Sequence, residues 1–156
     1  MDSILIQRIS RCGRLPQLPQ YQSAQAAARD VQAFLPEGAV TLAPGERRRI
    51  PTGLRMAIPQ GWAGYLLPRS GLSLRNGITL SNSVGLIDSD YRGEVQVALS
   101  NLSDTPFTVE DGDRIAQLML LPAPQFFWEE TDTLPETARG EGGFGSTGLS
   151  PANESI

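Results

Sequence analysis

The clearest alternation of apolar and polar positions lies at residues 93–101, where Val95, Val97 and Leu99 fall on one side and Glu94, Gln96 and Ala98 on the other. A period of two marks a half-buried strand. Shorter apolar runs predict further strands at residues 39–42, 47–58, 62–67 and 114–121. Between them, Pro51-Thr52-Gly53, Pro59-Gln60-Gly61, Arg75-Asn76-Gly77 and Asp111-Gly112-Asp113 read as turns. The 16 glycines and 12 prolines break the chain into short segments, a spacing of roughly 8–12 residues that predicts an all-β sandwich or barrel. Helix signals are weak. Residues 22–29 are alanine-rich without an apolar stripe, and residues 70–74 suit a single helical turn with Ser70 as its N-cap. From residue 138 onward Gly and Ser dominate, and Phe144 and Leu149 are nearly the only bulky apolar groups. The predicted organisation is a β-barrel domain over residues 1–137 and a flexible Gly-rich C-terminal tail over 138–156.

A length of 156 residues suits one domain with a sizeable core. No run approaches the roughly 18 apolar residues of a membrane helix. The first ten residues carry Asp2 and Arg8, unlike a secretory leader. Cys12 is the single cysteine, which excludes an internal disulfide and agrees with a reducing cytoplasm. The Asn-x-Ser triplets at Asn101 and Asn153 are then chance matches.

Absences narrow the chemistry further. There is no histidine, so no imidazole base and no Ser-His-Asp triad; with one cysteine, no deaminase-type zinc site can be built either. There is no lysine, and all 13 basic residues are Arg, which excludes a Walker lysine and a Schiff base. A catalytic base in this chain is expected to be a carboxylate. Phosphate would be held by backbone amides and by Arg, whose planar fork donates two bonds at once. The net charge of −4 argues against a general nucleic-acid binder.

Five islands carry candidate chemistry. Pro68-Arg69-Ser70-Gly71-Leu72-Ser73 sets a guanidinium, a hydroxyl and a close-approach glycine at a helical start, a phosphate cradle or simply a solvated surface turn. In the stretch from Asn82 to Glu94, Asp88 sits between Ile87 and Ser89, and Tyr91 offers a flat ring. A carboxylate among apolar neighbours makes a better base; a β-hairpin with two Asp residues in its loop is the plain alternative. Residues 139–148 resemble a nucleotide loop but lack the Gly-Lys ending. A linker has no use for Phe144, whose ring could stack on a base while Arg139 and amides meet phosphate. Asp30 lies where the alanine-rich stretch runs into a predicted strand, and Gln117 is the one polar residue in an apolar run.

Taken together and in this order, the islands resemble the trimeric dUTPase family over about residues 26–148. The first motif departs at Ala28, where the family usually has Gly, and at Val31, where it has Leu. The resemblance implies a jelly-roll-like β fold and a homotrimer with three sites at subunit interfaces. One subunit supplies the first, second and fourth motifs, another the third, and the third subunit the tail. It implies hydrolysis of dUTP to dUMP and pyrophosphate, with Asp88 activating water for attack on the α-phosphorus. Arg69, Ser70, Gly71 and Gln117, with Arg139 and Ser146, hold phosphate. A hairpin carrying Asn82, Leu86, Ile87 and Gln96 reads uracil, Tyr91 packs on the deoxyribose, and Phe144 closes over the base. Magnesium (Mg2+) is expected on the phosphates and water without a direct protein ligand, with Asp30 reaching it through water. The expected substrate is dUTP, with no nucleic-acid or membrane partner. Two rivals share the scaffold: a dCTP deaminase and a non-catalytic regulatory protein. Asp88 and the Gly-Phe-Gly tail favour the hydrolase.

Overall fold

Ten strands and one helix are formed by the described residues, 3–143, in a computed structural model of the chain. In order they are β1 (Leu5–Arg8), β2 (Arg29–Gln32), β3 (Val40–Leu42), β4 (Arg47–Ala57), β5 (Trp62–Leu67), α1 (Ser70–Asn76), β6 (Ile78–Leu80), β7 (Gly85–Ile87), β8 (Val95–Asn101), β9 (Phe107–Val109) and β10 (Arg114–Pro122). One four-stranded sheet runs β1-β4-β8-β6, a second runs β2-β10-β5-β7, and β3 pairs with β9. Every ladder is antiparallel. A single core draws Ile50, Val97, Leu99 and Leu80 from the first sheet and Val31, Leu66, Ile115 and Ile87 from the second. The result is the expected all-β, jelly-roll-like architecture. The alternation at 95–99 does what it predicts: Val95, Val97 and Leu99 are buried while Gln96 is exposed. Each such buried side chain contributes roughly 1.5–3 kcal/mol.

Several local expectations are corrected. Pro51-Thr52-Gly53 is no turn; it lies inside β4, where the pairing with β8 shifts register between Pro51 and Leu54. Gly53 takes a φ of 69° there, and Thr52 Oγ1 donates to the Val95 carbonyl at 2.6 Å. The long strand thus bends through a bulge. Arg75-Asn76-Gly77 is the end of α1, with Gly77 in the left-handed region at φ 66° as its C-cap. The N-cap of α1 is Arg69, not Ser70, and no side chain caps it. Residues 22–28 form no helix. Pro59-Gln60-Gly61 and Asp111-Gly112-Asp113 are turns, closed by Trp62 N–H to the Pro59 carbonyl and Asp113 N–H to the Glu110 carbonyl, both at 3.1 Å.

The chain forms two units, Met1–Gln125 and Phe126–Ile156. In the second, the described residues contain no strand or helix. Within the first, Asn101 ties the end of β8 to its surroundings. Its side-chain amide donates to the carbonyls of Leu42 (3.0 Å) and Thr105 (2.8 Å), and its Oδ1 accepts from Ser103 N–H (2.9 Å) and Ser103 Oγ (2.7 Å). Its backbone bonds Glu46 and Gly45 as well. Fully buried, it is closed to glycosylation.

Replacing Asn101 by Ala takes the side-chain partners from the Leu42 carbonyl and the Ser103 N–H, while Ser103 Oγ still donates to the Thr105 carbonyl. At about 1–3 kcal/mol for each buried group left unpaired, Asn101→Ala is expected to lower stability by at least about 2 kcal/mol in denaturant unfolding. A loss under about 1 kcal/mol would show that the knot is dispensable.

Candidate active site

The segment between β7 and β8 is not a hairpin loop. β7 pairs with β5 in one sheet (Gly64 opposite Ile87, Tyr65 opposite Leu86), whereas β8 pairs with β4 and β6 in the other. Residues 88–94 therefore cross from sheet to sheet, which corrects the expectation that Asn82, Leu86, Ile87 and Gln96 share one hairpin. Where the sheets part, a cleft of about 270 Å³ opens, and Asn82, Leu86, Ile87, Asp88, Tyr91 and Gln96 all line it, joined by Arg49 and Glu94. Strand alternation points Leu86 outward while Gly85 and Ile87 are buried. Asp88 is exposed, so this chain by itself does not surround it with the apolar neighbours its sequence context suggested.

The crossing segment is braced from within. The Tyr91 N–H donates to the Asp88 carbonyl at 3.2 Å, and its hydroxyl donates to the Glu94 carbonyl at 3.0 Å. The ring lies over Gly93, where an added Cβ would collide with it. Arg92 turns back to donate to the carbonyls of Ser89 (2.7 Å) and Tyr91 (2.9 Å). Glu94 then fastens the segment to the body: its carboxylate accepts from the Gly53 N–H at 2.8 Å and from Arg11 Nη2 at 2.5 Å. That hydrogen bond, together with the carboxylate charge, raises the Arg11 pKa above the ordinary guanidinium value.

A second group gathers on β2, β10 and the start of α1. Asp30 lies between Arg69 Nε (3.3 Å) and Arg114 Nη1 (3.2 Å). Arg69 also donates to the Arg114 carbonyl at 2.8 Å, and Gln117 Nε2 donates to the Pro68 carbonyl at 2.9 Å. The first and fourth motifs thereby hold the second in place. Ser70 and Gly71 are exposed in the first turn of α1, and a Cβ at Gly71 would meet nothing within 4 Å. Ala28 does not take a positive φ, so its backbone has no need of glycine, and Val31 is a core residue. None of Asp30, Arg69, Ser70, Gly71 or Gln117 lines the Asp88 cleft. Arg139 donates Nε to the Gly142 carbonyl at 2.6 Å; Phe144 and Ser146 lie outside the described residues. Among the described residues no group of three or more His, Cys, Asp or Glu converges to hold a metal ion.

The scaffold is all-β and jelly-roll-like, with one cleft that bears a solvent-facing carboxylate and, apart from it, two arginines ordered around one acid. Comparison with known proteins identifies the class. The sequence matches the dUTPase family over residues 16–148, and the chain belongs to that family. It is 57% identical over 131 residues to the deoxyuridine 5'-triphosphate nucleotidohydrolase of Roseobacter denitrificans, covering 84% of this chain and 86% of the relative. It is 51% identical over 153 residues to the enzyme of the same name from Methylocella silvestris, covering 97% and 95%. In fold it is similar to a point mutant of the dUTPase of Staphylococcus bacteriophage 80alpha, solved with dUpNHpp (TM-score 0.85, 23% identity, covering 96% of this chain and 100% of that one). A mutant dUTPase from phage phi11 of S. aureus, solved with a structural Mg(II) ion, has a TM-score of 0.74 at 21% identity over 85% of this chain and 98% of that one. The activity of the chain is that of a dUTP diphosphatase, hydrolysis of dUTP to dUMP and pyrophosphate.

Arg49, Glu94 and Arg114 were not singled out by sequence reasoning. Glu94 and Arg114 flank motif residues, but their partners lie 83 and 84 positions away. Arg49 sits in an Arg-Arg-Arg run that reads as a solvated charged surface; only the register of β4 on β8 brings it to the cleft.

Glu94 offers a direct test. Glu94→Gln keeps an acceptor for the Gly53 N–H and is expected to cost under about 1.5 kcal/mol, whereas Glu94→Ala leaves that N–H and Arg11 without a partner and is expected to cost about 2–3 kcal/mol. Equal unfolding midpoints for the two variants would remove Glu94 as the fastening point.

Proposed function

We propose that Asp88 is the general base of the reaction and that three copies of the chain assemble to complete each site. The convergence of Asn82, Leu86, Ile87, Asp88, Tyr91 and Gln96 on one cleft carries this reading. In it, uracil lies against the backbone around Leu86, Ile87 and Gln96 and the amide of Asn82, imitating a base-pairing partner. Cytosine is rejected because its amine leaves buried groups unpaired, and the thymine methyl because the cleft is narrow. Tyr91, locked by its hydroxyl, packs on the deoxyribose where a 2'-hydroxyl would sit.

Asp88 takes a proton from water as the water oxygen bonds to the α-phosphorus and the bond to the bridging oxygen breaks, releasing pyrophosphate. Arg69, Ser70, Gly71 and Gln117 hold the phosphate chain, and the tail from residue 138 brings Phe144 over the base with Arg139 and Ser146 on the outer phosphates. A guanidinium already oriented by Asp30 and the Arg114 carbonyl costs little to order again when phosphate arrives. Because that cluster does not line the Asp88 cleft, a second chain is the natural source of the missing half of each site. Homotrimers with shared sites follow.

The donor set fits magnesium brought in by the substrate. Asp30 is already compensated by two arginines, which suits contact through water better than direct ligation, and magnesium dehydrates reluctantly. When bound, the ion neutralises phosphate charge as it builds. Among the described residues no helix is long and apolar enough to cross a membrane. A cytoplasmic site is proposed, where the reaction limits uracil incorporation into DNA and supplies dUMP for dTMP synthesis.

Asp88→Asn is nearly isosteric but accepts no proton. It is expected to bind dUTP normally and to lose roughly 10²–10⁴-fold in kcat; a kcat within about threefold of the parent assigns the base elsewhere.

Sharing of sites is tested by mixing. Asp88→Asn chains and chains truncated before residue 138 are each expected to be nearly inactive. Mixed trimers pair an intact base with an intact tail and are expected to regain part of the activity. No recovery after subunit exchange, or a fully active monomer by light scattering, overturns the trimeric site.

A further inference from the structure

We infer that Arg49 is a substrate-contacting residue that donates hydrogen bonds to a carbonyl oxygen of the pyrimidine. This rests on the reading of the Asp88 cleft as the uracil site, and adds to it the one side-chain cation there that is free among the described residues. On β4, Ile50 points into the core opposite Val97, so Arg49 and Pro51 point to the outer face, opposite Ala98 and Gln96. The cross-strand and diagonal neighbours of Arg49 are therefore Ala98, which is small, and Gln96, which borders the base in the proposed pose. Neither obstructs a guanidinium that reaches over the sheet to the cleft, and Arg49 lines it.

The second carboxylate of the cleft and two neighbouring arginines already have partners. Glu94 gives both carboxylate oxygens to Gly53 and Arg11. Arg92 folds back on the carbonyls of Ser89 and Tyr91. Arg48, on the opposite face of the same strand, pairs with Glu46 at 2.5 Å. Among the described residues the Arg49 side chain makes no hydrogen bond and no ion pair. A guanidinium is a donor-only group, so in this cleft it asks for an acceptor. A pyrimidine carbonyl supplies one without placing a second anion beside Asp88, which stays free for water.

Inhibition constants of deoxyuridine and dUMP against dUTP turnover, measured with kcat and KM, test the assignment. A charge-assisted bond to the base is present in ground and transition states alike, so its loss raises KM with little change in kcat. In Arg49→Ala, KM for dUTP and both inhibition constants are expected to rise together by about 10-fold or more, with kcat within about twofold and the melting temperature unchanged. Arg49→Lys is expected to recover part of the loss and carries the test if Arg49→Ala does not fold. Arg47→Ala removes the same charge from the same strand face outside the cleft and is expected to change none of these values. Unchanged deoxyuridine inhibition in Arg49→Ala, with or without weaker dUTP binding, overturns the proposal, as does an equal effect of Arg47→Ala. A parent protein that neither binds deoxyuridine nor shows any loss in Asp88→Asn would instead overturn the reading of the cleft.

Discussion

The candidate site depends on where a short crossing segment lands, and one carboxylate sets that. Glu94 reaches the free N–H of Gly53, which exists because the β4 bulge turns that amide out of the ladder. The bulge in turn needs a positive φ, and a Cβ at Gly53 would strike Phe34 and Pro16, so glycine is required both sterically and conformationally. Arg11 completes the junction from the N-terminal segment and packs its guanidinium over Phe34, 5.9 Å from the ring centroid. Tyr91 closes on the Glu94 carbonyl. A slip of one residue here would send Val95, Val97 and Leu99 outward; the buried alternation and the fastened carboxylate both oppose it.

Two acids illustrate how surroundings divide labour among identical groups. Asp30 is enclosed by two guanidinium groups and is only 12% exposed at its side chain. Its charge is used up in orienting Arg69 and Arg114, and it holds the second motif against β10. Asp88 faces an open cleft with no such partners among the described residues. A base must reach a water with a free oxygen, and both oxygens of Asp30 are engaged by guanidinium groups. In the proposed reaction this difference supports Asp88 as the proton acceptor and gives Asp30 a positioning role.

Much of the fold was legible because burial writes a period of two into strands with one face in the core. Val95, Val97 and Leu99 did so plainly, and β5 and β10 nearly as well. Strand β1 was not legible: all four of its residues are exposed, so its pairing with β4 leaves no apolar alternation. Strands β6, β7 and β9 are only three residues long, too short for a period to show. Pro51-Thr52-Gly53 carries turn chemistry that the fold uses for a bulge, a distinction set by the partner strand. The candidate site was legible in its residue types, since Asp88 and Tyr91 sit in a long motif. Its frame was not, because Arg11 to Glu94 and Arg69 to Asp30 join residues far apart in sequence.

The absence of lysine and histidine becomes understandable in these terms. Several of the ordered arginines do more than balance charge. Arg69 meets an acid and a carbonyl at once, Arg114 meets Asp30 and Gln22, and Arg92 spans two carbonyls. A compact ammonium can match the charge but not a planar fork whose donors fix direction. In the proposed site, direction matters more than charge, because phosphate groups and a water must be aligned for in-line attack. An arginine held in its working orientation before substrate arrives loses little entropy on binding, and a single carboxylate is then enough to move the proton.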